Sequence, residues 1–438
     1  MSSWHAISSF FISRPMLPFS TRNSFMIHRS ETTLCCLKNP IRAHSSLLHF
    51  IKAYRKLYGS SNSNIFATSG STPRNLRVRH RSDAIATQGE GFENTRSKDK
   101  SMISDSSNGR VMLIDGTSII YRSYYKLIAR LHHGYLPLAD GNGDWVLTIS
   151  TALTLILDVL AFNPSHVAVV FDHDGTPFGQ TSASSKQSFI AKGLNFRHTM
   201  YPAYKSNRPP TPDTIVQGLQ YLKASIKAMA IKVIEVPGVE ADDVIGTLAV
   251  RSVDAGFKVR VVSPDKDFFQ ILSPSLRLLR IAPRGFEMVS YGMEDYAKKF
   301  GTLKPSQFVD VVSLVGDKSD NIPGIHGIGY VHAVQLITKF GSLENLLQHV
   351  DLVEEERIRK YLIENADQAI LSKNLAQLRS DLPFYMVPFA IDDLVFKKPE
   401  DDGENFRNLL TAISAYAEGF SADSVVKRAT HLWKKLER

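Results

Sequence analysis

Cysteine is almost missing from this chain of 438 residues. Cys35 and Cys36 are the two present, and they sit side by side near the start. The remainder can therefore form no disulfide and no thiolate zinc site. Long apolar runs are also missing. The most apolar stretch, residues 152–162, is interrupted by Asp158. It falls short of the ~20 apolar residues that span a bilayer, so it reads as a core helix and no membrane partner is expected. Acids are scarce at one end only. Residues 1–80 hold eleven Lys/Arg against the single acid Glu31, a net charge of +10 out of the total +9, which leaves −1 for residues 81–438. The basic character thus belongs to the leading segment, and a nucleic-acid surface in the body has to be local.

The leading segment is rich in Arg and Ser, the composition of an organellar transit peptide. Residues 1–80 are expected to be that peptide, addressed to mitochondrion or chloroplast, and residues 81–107 a linker. No internal repeat or low-complexity tract follows.

From Arg110 onward, short β-branched runs alternate with helical patterns. Strands are expected at 111–114, 167–171, 231–236, 258–262 and 276–281, and helices at 147–162, 212–230 and 240–253. This alternation gives the fold class: α/β, with a mostly parallel central sheet flanked by helices. After about Tyr291 short helices and glycine turns take over, with helices expected at 293–300, 305–314 and 331–340. The expected domains are a catalytic domain at 108–290, a helical subdomain at 291–390 and a tail at 391–438.

Nine acids recur at strand ends or in short acidic motifs. They are Asp115, Asp172, Glu240, Asp242, Asp243, Asp265, Asp267, Asp317 and Asp320. Ligands of open parallel sheets collect beyond the carboxyl ends of the strands. A single strand-end Asp is commonly a turn residue or a helix cap, and acids in a first helical turn suit the helix dipole. Three strands delivering acids to one edge are harder to explain that way. Two unit charges ~4 Å apart repel by about 4 kcal/mol at an effective dielectric near 20, so such a cluster calls for cations. All-oxygen ligands suit Mg²⁺ or Mn²⁺, and paired ions of this kind hydrolyse phosphodiesters.

Arg197, Tyr201, Lys205 and Arg208 are spaced 4, 4 and 3 apart, which on a continuous helix would form one stripe. A guanidinium, an aromatic ring and an ammonium together suit a phosphate and a stacked base, although Pro202 and Pro209-Pro210 limit any helix there. The run 324–329, with Gly324, Gly327 and Gly329, reads as a hairpin between two helices. Its backbone N–H groups could cradle a phosphate without reading bases.

With these motifs in view, the chain resembles the 5′→3′ exonuclease domain of bacterial-type DNA polymerase I, in the flap endonuclease superfamily. The matching segments are Leu-Ile-Asp-Gly-Thr-Ser from 113, Phe-Arg-His from 196, Tyr-Lys-Ser-Asn-Arg-Pro-Pro from 204, Val-Glu-Ala-Asp-Asp-Val-Ile-Gly from 239, Asp-Lys-Asp from 265 and Val-Gly-Asp-Lys-Ser-Asp-Asn from 315. Together with the leading segment, this looks like a free-standing plant organellar form. The resemblance implies a helical arch over the acids, a helix–hairpin–helix in the helical subdomain, and two or three Mg²⁺ or Mn²⁺ ions on the nine acids. It implies catalytic or DNA contacts for Arg197, Tyr201, Lys205 and Arg208. It further implies duplex contacts for Gly324, Gly327 and Gly329, with K⁺ at the hairpin.

The implied function is a structure-specific 5′→3′ exonuclease and 5′-flap endonuclease that leaves 5′-phosphate and 3′-hydroxyl ends. The implied setting is organellar replication and repair, as a monomer alongside a DNA polymerase and a ligase. The alternatives are a catalytically inactive DNA-structure-binding protein and an RNase of the PIN-like fold. Three features depart from the pattern: extra residues at 179–195, Pro264 before Asp-Lys-Asp, and Tyr330-Val331-His332 after the hairpin.

Overall fold

The computed structural model describes residues 109–132, 143–173, 195–282, 287–418 and 420–437, all within the compact unit Thr68–Arg438. The expected transit peptide and linker, and residues 179–194 of the expected arch, lie outside the described residues.

The chain enters through β1 (Arg110–Asp115), continues through α1 (Gly116–His132) and α2 (Asp144–Leu160), and reaches β2 (His166–Val170). A short α3 (Phe196–Met200) and α4 (Asp213–Ala228) precede β3 (Lys232–Ile234). Helix α5 (Ala241–Asp254) then leads to β4 (Lys258–Val262), followed by β5 (Leu276–Ile281) and β6 (Met288–Tyr291). The six strands form one sheet in the order β3-β2-β1-β4-β5-β6, all parallel except β6, which runs antiparallel to β5.

Strand β1 is buried along nearly its whole length, as expected of a central parallel strand covered on both faces. Val111 and Leu113 join the core under α5, while Met112 and Ile114 join the core under α2 and α4. From β1 the chain steps to β2 and β3 on one side, then crosses to β4 on the other. The switch point therefore lies at the carboxyl ends of β1 and β4, where open α/β sheets bind ligands.

The helical part comprises α6 (Met293–Phe300), α7 (Phe308–Val315), α8 (Tyr330–Phe340), α9 (Leu343–Gln348), α10 (Glu356–Glu364) and α11 (Ala366–Ala376). It is not separated from the sheet by a gap in packing. Phe268 and Phe269, just beyond β4, share one apolar cluster with Tyr296, Phe300 and Phe308. Gly316 and Gly324 make the connection between α7 and α8 possible. Both have positive φ, and a Cβ on Gly324 would lie 2.3 Å from the Gly316 nitrogen.

The expected tail is folded, which corrects the sequence reading. Residues 391–438 contain α12 (Glu404–Ser414) and α13 (Asp423–Leu436). Phe406, Leu410 and Ile413 of α12, with Val425, Ala429, Leu432 and Trp433 of α13, complete the core beneath α2 and α4. Their 3–4 residue spacing is an amphipathic signal. The polar content of the opposite face, with Lys427, Lys434 and Lys435, obscures it. Helix α1 and strand β6 were likewise not expected.

Trp433 is 2% exposed, and its ring meets Phe406 edge-on. Trp433→Ala should lower unfolding free energy by about 3–5 kcal/mol, measured by urea denaturation. A change within about 0.5 kcal/mol, as for an exposed tail, would contradict this packing.

Candidate active site

Strand β1 delivers Asp115 to the carboxyl edge, where α1 begins at once. Ser118 donates its backbone N–H to Asp115 Oδ1 at 2.8 Å, and its hydroxyl binds Oδ2. Ser263, at the end of β4, donates its hydroxyl to Asp115 Oδ2 at 2.8 Å. The ends of the two central strands are thus tied together at the switch point. Asp172 follows β2 and accepts the Ala241 N–H at 2.9 Å, anchoring the start of α5. Asp242 sits in the first turn of α5. Asp265 accepts the Asp267 N–H at 2.9 Å in the loop after β4. Pro264 is accommodated there: Ser263 Oγ accepts the Asp265 N–H at 3.1 Å, and Arg280 binds the Pro264 carbonyl at 3.1 Å.

These acids strain against one another. Burial pushes the Asp115 carboxyl up to about 6, helped by Asp172. Burial, then Asp115, Asp265 and Asp172, raise Asp242 well above the usual carboxylate range. Asp265 and Asp267 are raised by burial, with Asp320 and Asp317 adding to both and Asp265 adding to Asp267. Asp267 Oδ1 is buried with no hydrogen-bond partner.

Cations of the protein hold the outer acids. Lys205 Nζ lies 3.0 Å from Glu240 and 3.8 Å from Asp320; Arg208 lies 2.5 Å from Asp320, and Lys266 3.0 Å from Asp317. Against burial, Lys205 and Arg197 pull the Glu240 carboxyl down to about 2. Burial opposes the Lys205 charge, but Glu240 and Asp320 hold it well above its ordinary value.

Among the described residues no group of three or more Asp, Glu, His or Cys side chains is disposed to hold one ion as it stands. Hydroxyls and ammonium groups occupy several of the oxygens that an ion would need. The donor set nevertheless fits a hard divalent cation. It is all-oxygen, it carries uncompensated negative charge, and Asp267 presents an orphaned buried oxygen. Asp115, Asp172, Glu240, Asp242, Asp265, Asp267, Asp317 and Asp320 are the residues placed to serve such ions.

Asp243 leaves the expected set. Both its oxygens are taken by Arg197, at 2.6 and 2.9 Å, and Oδ1 also accepts the Arg379 N–H at 2.9 Å. Arg197 is corrected with it. At 3% exposure it faces no substrate. Its remaining donors bind the carbonyls of Leu375 at 3.0 Å and Gln377 at 2.8 Å, so it clamps α3 to α5 and to the end of α11.

The expected helical stripe is also absent. Helix α3 ends at Met200, Tyr201 is extended and packs half-buried against the core, and Lys205 takes a positive φ of 55°. Pro202 and Pro209-Pro210 supply the reason. Lys205 and Arg208 still reach the acids because turns carry them there. Lys205 N–H donates to the Asp320 carbonyl at 2.9 Å, and Asn321 and Asn207 each bind across to the opposite segment at 2.6 Å.

Three residues that charge logic passed over complete the site. The Tyr204 hydroxyl lies 3.3 Å from both Glu240 and Asp320. The Asn195 amide donates to Glu240 at 2.6 Å, and Ser263 joins β1 to β4. All three are neutral, so neither spacing nor charge marks them out.

In the hairpin, Gly327 and Gly329 are exposed, and Gly329 caps the start of α8. Gly324 is buried, and its N–H already binds Ser372 Oγ at 3.1 Å. It shapes the turn and is not free to contact a phosphate.

Comparison with known proteins matches these features. Residues 110–301 fit the family model for the 5′-3′ exonuclease N-terminal resolvase-like domain, and residues 303–402 fit that for the 5′-3′ exonuclease C-terminal SAM fold. The thermostable DNA polymerase I of Thermus filiformis is 34% identical over 301 residues, 69% of this chain and 32% of the relative. DNA polymerase I of Bacillus caldotenax is 34% identical over 291 residues, 66% of this chain and 30% of the relative. The chain thus spans about a third of the length of the curated relatives it matches. Among solved structures, the T5 D15 protein co-crystallised with metal ions is 20% identical, with a TM-score of 0.47, over 70% of this chain and 100% of that one. The catalytic core of Rad2 in complex with DNA is 16% identical, with a TM-score of 0.46, over 76% of this chain and 93% of that one.

Two outcomes follow from the electrostatics. Arg197→Ala strands Asp243 in the core and should cost about 3–5 kcal/mol of stability, measured by denaturant unfolding; an exposed DNA contact would cost little. The carboxyl of Asp115 has a folded pKa above its unfolded value, so the folded state binds more protons between about pH 4 and 6. Without divalent ions its contribution therefore falls as pH rises through about 6. Millimolar Mg²⁺ should raise the melting temperature, and the gain should grow from pH 6 to pH 8 as protons cease to compete. An unchanged melting temperature at pH 8 would contradict the fit.

Proposed function

The chain belongs to the 5′-3′ exonuclease family, and from that premise we propose that it is a metal-dependent 5′ nuclease of DNA, acting on 5′ flaps and on nicked or gapped duplex. The observation that carries this reading is the placement of Lys205 and Arg208 against Asp320 and Glu240, beside the acids at the carboxyl edge of the sheet.

The chain's own residues divide the work. Asp115, Asp172, Glu240, Asp242, Asp265, Asp267, Asp317 and Asp320 would hold divalent cations, Mg²⁺ or Mn²⁺. Such ions supply an acidified water and stabilise a leaving oxygen. Lys205 and Arg208, now bound to carboxylates, are positioned to exchange that partner for a phosphate and to offset charge developing on it. Arg208 is the more accessible of the two, its side chain 52% exposed against 18% for Lys205. Tyr204, buried between Glu240 and Asp320, holds the Lys205 segment in register. Exposed Gly327 and Gly329 offer backbone N–H groups to a duplex phosphate. No Ser, Cys or His nucleophile is needed, and the products would be 5′-phosphate and 3′-hydroxyl ends.

The Arg-rich, acid-poor residues 1–80 support an organellar setting, in mitochondrion or chloroplast. There the enzyme would remove primers or flaps as a monomer, in sequence with a DNA polymerase and a ligase.

Two substitutions test the assignment on a labelled flap substrate. Asp265→Asn should abolish Mg²⁺-dependent cleavage, a loss of at least about 10³-fold as for loss of a key charge-stabilising group, while binding in Ca²⁺ persists. Near-normal turnover would sink the metal assignment. Lys205→Ala should lower kcat far more than it raises KM; a change in KM alone would reduce Lys205 to a strand-binding residue.

A further inference from the structure

Helices α12 and α13 lie beyond residue 402, where the family match ends, and they enclose a groove of about 600 Å³ between their outer faces. Its walls are strongly basic. Lys427, His431 and Lys434 occupy one stripe of α13 at positions i, i+4 and i+7, and Arg407 of α12 faces them across the groove. The single acid in the lining is Asp423, in the first turn of α13.

The charge is local, because residues 81–438 together carry −1. It is also unpaired: Arg407, Lys427 and Lys434 form no ion pair with a described residue, and Arg407 acts only weakly on Asp401. Their neighbours Arg428 and Lys398 do, with Asp158 and with Asp402 and Glu437. The inner faces of both helices are fixed in the core, so the basic stripe cannot turn inward.

We propose that this groove binds the phosphodiester backbone of a DNA strand at a distance from the cutting site. This rests on the DNA reading above and extends the footprint beyond the family-matched region. Two features favour a strand over a small anion. Lys427 to Lys434 spans about 10 Å of helix, roughly three nucleotide steps of a duplex strand at ~3.4 Å each. One end of the groove also lies towards the acidic edge. The carboxyl end of α2 feeds the start of β2, so the amino end of this ~25 Å helix lies at the edge where Asp172 emerges. Ala417 and Tyr416, at the Ser414–Ala422 end of the groove, pack against Gly143 and Trp145 at that amino end.

The test is equilibrium binding of a fluorescent 5′-flap duplex to the full chain in Ca²⁺, over a series of KCl concentrations. The variants are Lys427→Gln/Lys434→Gln and the charge-keeping Lys427→Arg/Lys434→Arg. Both side chains replaced are exposed, so the fold is retained. The Gln pair should weaken binding roughly tenfold or more near 0.1 M salt and make the slope of log K against log salt shallower by about 2, one per lost phosphate contact. The Arg pair should keep the slope. Wild-type affinity and slope in the Gln pair would overturn the proposal. So would a groove that takes only free phosphate: sodium phosphate would then raise the melting temperature of the wild type and not of the Gln pair, with the DNA slope unchanged. The readout is binding, so a protein that binds DNA through these lysines but never cuts it would remove the nuclease reading and leave this one standing.

Discussion

Repulsion among carboxylates at the carboxyl edge of the sheet is the constraint on which the rest of the molecule depends. Asp115, Asp242, Asp265 and Asp267 are raised by burial and, to a lesser degree, by neighbouring carboxylates. Hydrophobic cores on both faces of the sheet hold them there regardless. The protein offsets the charge from outside: Lys205 and Arg208 come from the segment after α3, and Lys266 from the loop after β4. On the proposed reading these are the groups that a phosphate would engage. The edge would then be a balance between internal ion pairs and an external cation with its phosphate, with the same charges serving folding and catalysis.

That balance explains why the helical part is bound so closely to the sheet. Asp317 and Asp320 come from the loop after α7, yet their cationic partners come from the sheet side. Arg197 reaches from α3 to α5 and to the carbonyls ending α11. Beneath these polar ties, Phe268 and Phe269 share a core with Tyr296, Phe300 and Phe308. A movement of the helical part would shift two of the acids, so packing sets the spacing of the site.

Much of this was legible in the sequence, for identifiable reasons. Buried parallel strands read as unbroken β-branched runs, and β4 and β5 were placed residue for residue at 258–262 and 276–281. Acids at strand ends followed from the sheet topology alone. What was hidden depended on three-dimensional pairing. Arg197 and Asp243 look like a DNA contact and a metal ligand by residue type; only burial and a shared bidentate contact reveal a clamp. Spacing suggested a helical stripe through Lys205, whereas prolines break the helix and turns deliver the residue by another route. Tyr204, Asn195 and Ser263 are neutral and escape any search for charge. Helices α12 and α13 were obscured by their polar outer faces, and α1 by its start directly at Asp115.

The most direct measurement of the central claim is Mn²⁺ binding to the full chain at pH 8, followed by the loss of the free-ion electron paramagnetic resonance signal. The account predicts saturable binding of about two or more ions per chain, as two-metal phosphodiester sites require. It also predicts loss of that binding when Asp242 and Asp265 are both changed to Asn. Absence of saturable binding, or binding that survives the double substitution, would show that the acids at the sheet edge are not a metal centre.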